Sequence, residues 1–222
     1  MKMSKLAASL LTAGVLGVSG AAAEGRSFFV GGGFNYHSID RSFEYFGPSI
    51  PFVVEHGYTE EDGATGGGIS LVAGSTIMRS ANSGVRTYFN YDVNYVDIKY
   101  EDTSETDSGK YQVIGFNADW LYNFQPNFSI FVGANIGVIS WDKKLWSLTD
   151  SDSLLTKFYF AGQFGGRFMF GEGGNQAVEV FAKIPFTTQK VEYTTAAGEK
   201  FAEMKISQSV SAGVRYIYSF WA

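Results

Sequence analysis

The stretch Met204 to Phe220, MKISQSVSAGVRYIYSF, decides the fold of this chain. Successive side chains of a β-strand point to opposite faces, and alternate residues here separate into an apolar, aromatic set and a small, polar or cationic set. The first set is Ile206, Gln208, Val210, Ala212, Val214, Tyr216, Tyr218 and Phe220; the second is Lys205, Ser207, Ser209, Ser211, Gly213, Arg215, Ile217 and Ser219. Strands of soluble proteins run roughly 5–6 residues, whereas a tilted strand that crosses a bilayer needs about 9–11. The length of this stretch therefore predicts a membrane-spanning strand.

The end of this strand resembles the C-terminal assembly signal of bacterial outer-membrane β-barrels. That signal is a glycine followed by aromatic residues in alternation, and it is matched by Gly213, Tyr216, Tyr218 and Phe220. The family usually stops on its terminal Phe, whereas this chain continues with two more residues. The resemblance implies that these residues are read by the outer-membrane assembly machinery.

Residues 1–23, MKMSKLAASLLTAGVLGVSGAAA, have the pattern of a secretory signal peptide. Lys2 and Lys5 precede a short apolar run that ends in small residues, and cleavage is predicted before Glu24. An uncleaved anchor helix is the alternative, but the run is shorter than the roughly 20 residues that a spanning helix needs. The predicted organisation is a cleaved segment, 1–23, and one β-barrel domain, 24–222.

Composition agrees with an exported barrel and narrows the range of partners. The 222 residues contain no Cys and 27 Gly, and aromatic residues make up 17%. The absence of Cys means that an exported form does not rely on disulfides. The formal net charge of −5 becomes −7 when the two lysines of the signal peptide are removed, which argues against nucleic acid as a partner.

Seven further segments repeat the alternating design. They are residues 26–38, 67–79, 85–100, 110–124, 128–141, 155–170 and 177–187. Short Gly/Asn/Pro-type turns (80–84, 125–127 and 171–176) alternate with long polar connections (39–66, 101–109, 142–154 and 188–203). Eight antiparallel strands close a barrel without an unpaired edge, as lipid requires.

The mature chain resembles the small eight-stranded outer-membrane proteins of the OmpA transmembrane domain, OmpX and opacity-protein kind. That resemblance implies an up-and-down barrel with periplasmic short turns and extracellular long loops, located in the bacterial outer membrane.

A soluble eight-stranded barrel of the lipocalin kind shares the alternation and differs in which face lies inside. The apolar face of this chain carries most of the Phe, Tyr and Trp, while the polar face carries Gly, Ser, Asn and charged residues. An eight-stranded interior is only just wide enough for side chains to fill it. The smaller polar set is therefore predicted to fill the lumen, and the aromatic set to face lipid.

The predicted lumen contains a set of charged residues. They are Arg86, Asp92, Asp119, Arg167, Glu179, Lys183 and Arg215. Arg167 and Glu179 lie symmetrically about the 171–176 turn and should be cross-strand neighbours. Charges inside a narrow barrel must be paired, because an unpaired ion removed from water costs several kcal/mol. We expect a structural network of salt bridges; the alternative is a gated, narrow ion path lined by the same residues.

Other candidate chemistry is weak. His37 and His56 are the only histidines, and nothing positions carboxylates for a metal site with them. A lipid-modifying enzyme of the outer membrane would need His, Asp and Ser together near the outer rim, which His37, Asp40 and Ser42 could supply. We expect no enzyme activity, no metal and no cofactor.

The functional expectation is a surface or structural protein of the outer membrane, acting through its extracellular loops as an adhesin-like or envelope-stabilising barrel. This rests on analogy of fold. The expected partners are outer-membrane lipid and lipopolysaccharide, the assembly machinery, and an extracellular protein or host-surface ligand bound by the loops. A narrow pore for ions or small solutes is the alternative function, and the lipid-modifying enzyme is the third.

Overall fold

A computed structural model describes residues 25–46, 59–99, 106–142, 155–194, 198 and 200–221. For residues 59–62, 98, 99, 106, 107 and 221 it describes the backbone alone. The predicted signal peptide, His56 and large parts of the predicted long loops lie outside the described residues.

The described chain forms nine antiparallel strand segments that close into one barrel. They are β1 (Gly25–Tyr45), β2 (Thr59–Met78), β3 (Ser83–Lys99), β4 (Thr106–Gln125), β5 (Phe128–Trp141), β6 (Leu155–Phe170), β7 (Gln176–Pro185), β8 (Thr188–Thr194) and β9 (Lys200–Trp221). Each strand pairs with the next in sequence up to β7, and β9 pairs with β7, β8 and β1. β7 and β8 are two parts of one wall strand, so the barrel is eight-stranded, as predicted.

The interruption between β7 and β8 has a local cause. Pro185 ends β7, and proline has no backbone N–H with which to continue a ladder. The next N–H, that of Phe186, donates to the carbonyl of Phe160 on β6 at 2.9 Å. Beyond this point β8 pairs only with β9 among the described strands, and the side chain of Gln189 donates to the Phe158 carbonyl at 3.0 Å. A side chain thus replaces part of the backbone ladder between β6 and β8.

The outer surface of the barrel carries a continuous apolar belt. Its most exposed members include Phe34, Tyr36, Leu71, Tyr95, Phe124, Phe158, Phe168 and Phe186. The polar partners in the alternation point inwards and are buried. An apolar exterior with a polar interior is the arrangement of a membrane barrel and is the reverse of a lipocalin. No helix among the described residues is long and apolar enough to span a membrane.

Several strands extend farther than the sequence predicts. β1 continues to Tyr45 and β2 begins at Thr59, within the predicted loop 39–66. The predicted loop 188–203 contains β8 and the start of β9, which pair with each other. The prediction was wrong here because the pattern that it followed, apolar outward and polar inward, holds only where the outer face meets lipid. Above the apolar belt the outward residues are polar, as Asp40 and Lys205 are, while several inward residues, such as Ile206, are apolar.

The facing of β9 changes within the strand. Register shifts between the pairs His37–Ser211 and Ile39–Gln208, which places a β-bulge at the level of Ser209 and Val210. A bulge inserts one extra residue and reverses the facing of the residues that follow. Ile206 is only 1% exposed and lies with Gln208 in the lumen, while Lys205 points outwards. The prediction of one uninterrupted face from Ile206 to Phe220 was therefore wrong above the bulge.

Candidate functional site: the barrel lumen

The lower lumen is crossed by an ion pair between opposite walls. β3 and β7 are four strands apart in either direction around the barrel, and Arg86 on β3 donates from Nη1 to Glu179 Oε1 on β7. Arg86 Nη2 also lies 2.6 Å from Asp119 Oδ2 on the neighbouring strand β4. All three side chains have 0% exposure. The pair spans the interior at this level.

Glu179 receives three cations. Besides Arg86, Arg215 on β9 donates from Nε to Glu179 Oε2 at 2.5 Å. Arg167 on β6 is the register partner of Glu179, with its Nε 3.7 Å from Oε1. Three guanidinium groups share Glu179 and Asp119, so the cluster carries one excess positive charge. Its members come from five strands, namely β3, β4, β6, β7 and β9.

Aromatic rings enclose the two central guanidinium groups. Arg86 lies over the ring of Phe131 with 4.9 Å to the centroid, and Arg215 lies over Phe181 at the same distance. Both also lie over Tyr88, at 5.0 and 5.1 Å. Cation–π contacts of this kind strengthen when water is excluded. The rings compensate part of the excess positive charge and fill the space around the ion pairs.

A polar layer lies above this cluster and contains a second ion pair across the lumen. Lys183 Nζ on β7 donates to Asp92 Oδ2 on β3 at 2.9 Å. Asp92 also accepts the hydroxyl of Ser70 at 2.5 Å and the amide of Asn90 at 2.8 Å. The polarity is opposite to that of the lower pair, since β3 now supplies the acid and β7 the base.

Three asparagines pack beside the second pair. Asn90 Oδ1 accepts from Asn117 at 2.8 Å and from Asn135 at 2.6 Å, and Asn135 also donates to Asn117 Oδ1 at 2.6 Å. The triad needs a glycine next to it: a Cβ on Gly115 would lie 2.7 Å from atoms of Asn90 and Asn135. The three amides therefore fill a space in the middle lumen that exists because Gly115 has no side chain.

Gln163 on β6 extends the lower cluster. Its Nε2 donates to the Tyr88 hydroxyl at 2.7 Å and to Asp119 Oδ1 at 2.5 Å. Arg215 Nη2 donates to the same Tyr88 hydroxyl at 3.1 Å. The lower cluster is thus one connected network rather than a set of separate pairs.

The upper lumen is apolar, in contrast to the polar lumen that alternation predicts. Its buried members are Ile39, Ala64, Val96, Tyr111, Val113, Ile139, Trp141, Tyr159, Ala161, Met204 and Ile206. The rings of Tyr111 and Trp141 are tilted by 33° with centroids 4.7 Å apart, and His37 contacts Tyr111 edge-on at 5.0 Å. Gln208 donates to the Tyr111 hydroxyl at 2.9 Å. The sequence does contain a signal for this layer. On each strand these apolar residues stand at the same alternate positions as the polar lumen residues, so they point inwards as well.

The suggested grouping of His37, Asp40 and Ser42 does not form. His37 is fully buried in the lumen, whereas Asp40 and Ser42 point outwards from β1, where Asp40 accepts the hydroxyl of Ser209. Within the described residues, no group of three or more His, Cys, Asp or Glu side chains could hold a metal ion.

The outer ends of β8 and β9 carry a charge network around Glu203. Lys200 donates to Glu203 and, at 3.0 Å, to Glu192. The hydrogen bond from Lys200 lowers the pKa of Glu203, and the same bond raises the pKa of Lys200. Both groups lie beyond the apolar belt.

The residues of the predicted assembly signal lie at the other end of β9. Tyr216, Tyr218 and Phe220 point outwards into the apolar belt, and Gly213 faces the lumen, where a Cβ would lie 2.6 Å from the Phe181 ring. Their role in assembly stays a prediction.

A closed eight-stranded barrel with an apolar exterior and with buried charged and polar residues in its lumen defines an outer-membrane β-barrel protein. Residues 71–220 match the model of the family described as Helicobacter outer membrane protein, and the chain belongs to that family. The localisation is accordingly the bacterial outer membrane.

Two solved structures are similar in fold. OprG from Pseudomonas aeruginosa is 14% identical, with a TM-score of 0.55 over 90% of this chain and 98% of that chain. AlkL, determined in DMPC lipid bilayers, is 15% identical, with a TM-score of 0.51 over 92% of this chain and 94% of that one. A comparison with curated protein sequences finds no match. Identities this low establish a shared barrel architecture and no shared function.

Proposed function

We propose that this protein is a closed, non-enzymatic barrel that stabilises the envelope and presents its extracellular end for interaction with other surfaces. The observation that carries the proposal is the pair of ion bridges between β3 and β7, Arg86–Glu179 and Asp92–Lys183. Each bridge joins opposite walls across the lumen, so paired side chains occupy both levels.

The packing above the bridges supports the same proposal. A solute that enters from outside first meets the apolar upper layer around Tyr111 and Trp141. An ion would have to leave water to enter this layer, which is costly without compensating partners. The charged network lies below, where each carboxylate already contacts a cation. The interior therefore acts as a structural filling, and the exposed outer end carries the interaction with partners.

The deciding experiment is single-channel recording on purified protein in planar bilayers. The parent should show no steady current, because both bridges are closed. Glu179→Gln and Asp92→Asn should show brief openings, since each leaves a buried cation without its partner. Glu192→Gln, which alters an exposed carboxylate at the outer end, is the matched control and should behave as the parent. Steady, ion-selective current in the parent would contradict the closed barrel and favour the narrow pore.

A second experiment addresses the outer end. Cells that display the intact chain are compared with cells in which residues 143–154 are replaced by a short Gly/Ser linker, for attachment to host cells and for resistance to detergent. Loss of attachment with unchanged resistance is the adhesin-like result. Equal attachment with reduced resistance assigns the protein to envelope stabilisation. No change in either property would contradict the proposed function.

A further inference from the structure

The outer wall changes from apolar to polar within one residue row on β1, on the β7/β8 strand and on β9. The last apolar residues are Tyr36, Phe186 and Val210, and the polar residues that follow include Asp40, Thr188 and Ser207. The apolar band of an outer-membrane barrel ends at the membrane interface. The first polar row therefore lies at the level of the lipid headgroups of the outer leaflet.

A cavity of about 600 Å³ opens outwards at this level. The outward-facing residues that line it include Asp40, Ser42, Thr188, Lys205 and Ser207. Three of them supply hydroxyl groups and Lys205 supplies an ammonium group. Hydroxyl and ammonium donors that converge on one space suit the oxygens of a phosphate group, which accepts several hydrogen bonds at once.

A second lysine lies beside the cavity. Lys190 on β8 is the register partner of Lys205 on β9, so two ammonium groups face each other across the ladder. Like charges directly opposite each other destabilise a sheet. Glu203 contacts both lysines at 3.6 Å, but it lies on the next outward row, farther from the membrane. The carboxylates that form ion pairs with the two lysines thus lie on the solvent side of them.

The carboxylates of this region are also arranged in a row. Glu44, Glu203 and Glu192 are register partners across β1, β9 and β8. The outer wall therefore has a negative row facing solvent and a positive row facing the headgroups. On the membrane side of the lysines, the carboxylate of Asp40 lines the cavity, and it is engaged by the hydroxyl of Ser209.

We propose that Lys190 and Lys205, with the hydroxyls of Ser42, Thr188 and Ser207, form a binding site for a phosphate group of an outer-leaflet glycolipid. The height of the cavity at the upper edge of the apolar belt selects a lipid headgroup over a soluble anion, because the acyl chains then lie against the belt below. An anion at this place offsets the repulsion between the two lysines and fixes β8, whose wall contacts with β6 are sparse.

The test uses the full chain in detergent micelles, titrated with diphosphoryl lipid A, with the fully dephosphorylated lipid, and with inorganic phosphate. Retention is measured by native mass spectrometry, and the amide shifts of β8 and β9 by NMR. Diphosphoryl lipid A should bind, and Lys190→Gln/Lys205→Gln should bind it about tenfold more weakly, since each lysine near a charged headgroup contributes several-fold. Lys110→Gln removes an outward lysine on β4, away from the cavity, and should leave retention unchanged. Glu44→Gln removes the carboxylate 3.4 Å from Lys205 and should strengthen retention.

The proposal is overturned if the folded double variant retains diphosphoryl lipid A as well as the parent does, or if the dephosphorylated lipid binds equally. Inorganic phosphate that binds while diphosphoryl lipid A does not would assign the site to a soluble anion and overturn the lipid assignment. If the double variant fails to fold, Lys190→Gln alone decides, because the Lys190 side chain is 59% exposed and its ion pair with Glu203, at 3.6 Å, is long. Undiminished retention in Lys190→Gln would then count against the site.

Discussion

Arg86 and Glu179 are 93 positions apart in the chain and lie on opposite walls of the barrel, yet they form an ion pair with no solvent exposure on either side chain. The pair is enclosed by aromatic rings and by a second carboxylate, Asp119. Charges held in this way are strongly coupled to one another, and removal of one member affects all the others.

Glu179→Gln should destabilise the barrel strongly. The change leaves the guanidinium groups of Arg86 and Arg215 without their shared carboxylate in a dry interior, at a cost on the order of 3–5 kcal/mol. Glu192→Gln removes an exposed carboxylate and should cost about 0–1 kcal/mol. The measurement is reversible unfolding in denaturant for both variants in the same vesicles. Similar losses in the two variants would show that the lumen network is wet or weakly coupled.

The bridge between Asp92 and Lys183 should give a large coupling energy. Asp92→Asn and Lys183→Met each leave one charge unpaired, whereas the double variant leaves none. The double variant should therefore be more stable than the sum of the single losses predicts, by roughly 1–3 kcal/mol. A double-mutant cycle on the free energy of unfolding measures this quantity. Additive losses would mean that the two side chains do not interact in the folded protein.

The cost of an arginine on the outer wall should depend on height. Ala134→Arg, in the middle of the outward face of β5, should destabilise the barrel by about 2–4 kcal/mol, because it places a charge near the bilayer midplane. Ser140→Arg lies at the outer end of the same face, beside Thr156, and should cost about 0–1 kcal/mol. Unfolding from lipid vesicles gives both values. A reversed order would place Ser140 deeper in the bilayer than Ala134.

Cysteines at the two ends of the barrel should differ in accessibility from outside the cell. Thr194→Cys lies at the exposed outer end of β8, and Asn82→Cys lies in the short turn between β2 and β3. An impermeant thiol reagent should label the first in intact cells and the second only after the outer membrane is opened. Labelling of Asn82→Cys alone in intact cells would invert the topology.

The pairing between β8 and β9 should weaken at low pH. The bond from Lys200 lowers the pKa of Glu203 from 4.5, so its contribution is present above that value and is lost as pH falls through the lowered pKa. On the alkaline side it is lost as pH rises through the raised pKa of Lys200. Amide exchange of Val191, compared between the parent and Glu203→Gln at each pH, checks this. A difference as large at pH 3 as at neutral pH would contradict it.

The sequence was sufficient to predict the eight-stranded barrel, its facing and the lumen charges, because lipid imposes the same alternation on every strand that crosses it. Residues 128–141 show this well: β5 has the predicted bounds, and the predicted outward set from Ile130 to Val138 is the exposed one. Arg167 and Glu179 were located as neighbours by symmetry about a turn, which fixes register.

Features that depend on three-dimensional closure could not be predicted in this way. Alternation assigns a residue to a face but not to a partner on the opposite wall, so the bridge from Arg86 to Glu179 was not specified. The bulge at Ser209 and Val210 reverses the facing of Ile206. Serine and valine are ordinary strand residues, so the local sequence does not indicate a bulge there. Trp141 and Asn135 both occupy inward positions in the alternation of β5. Alternation therefore does not show which inward residues form an apolar layer and which form a polar one.

The bridges between β3 and β7 also constrain the order of events during biogenesis. Arg86 enters the forming sheet long before Glu179, and Arg215 follows later still in the last strand. Until β9 joins β1, the sheet is an open crescent in which these side chains remain hydrated. Their desolvation and pairing coincide with closure, and long sequence separations of this kind slow folding. The final ring closure and the formation of the dry network are therefore expected to be a single cooperative, rate-limiting step.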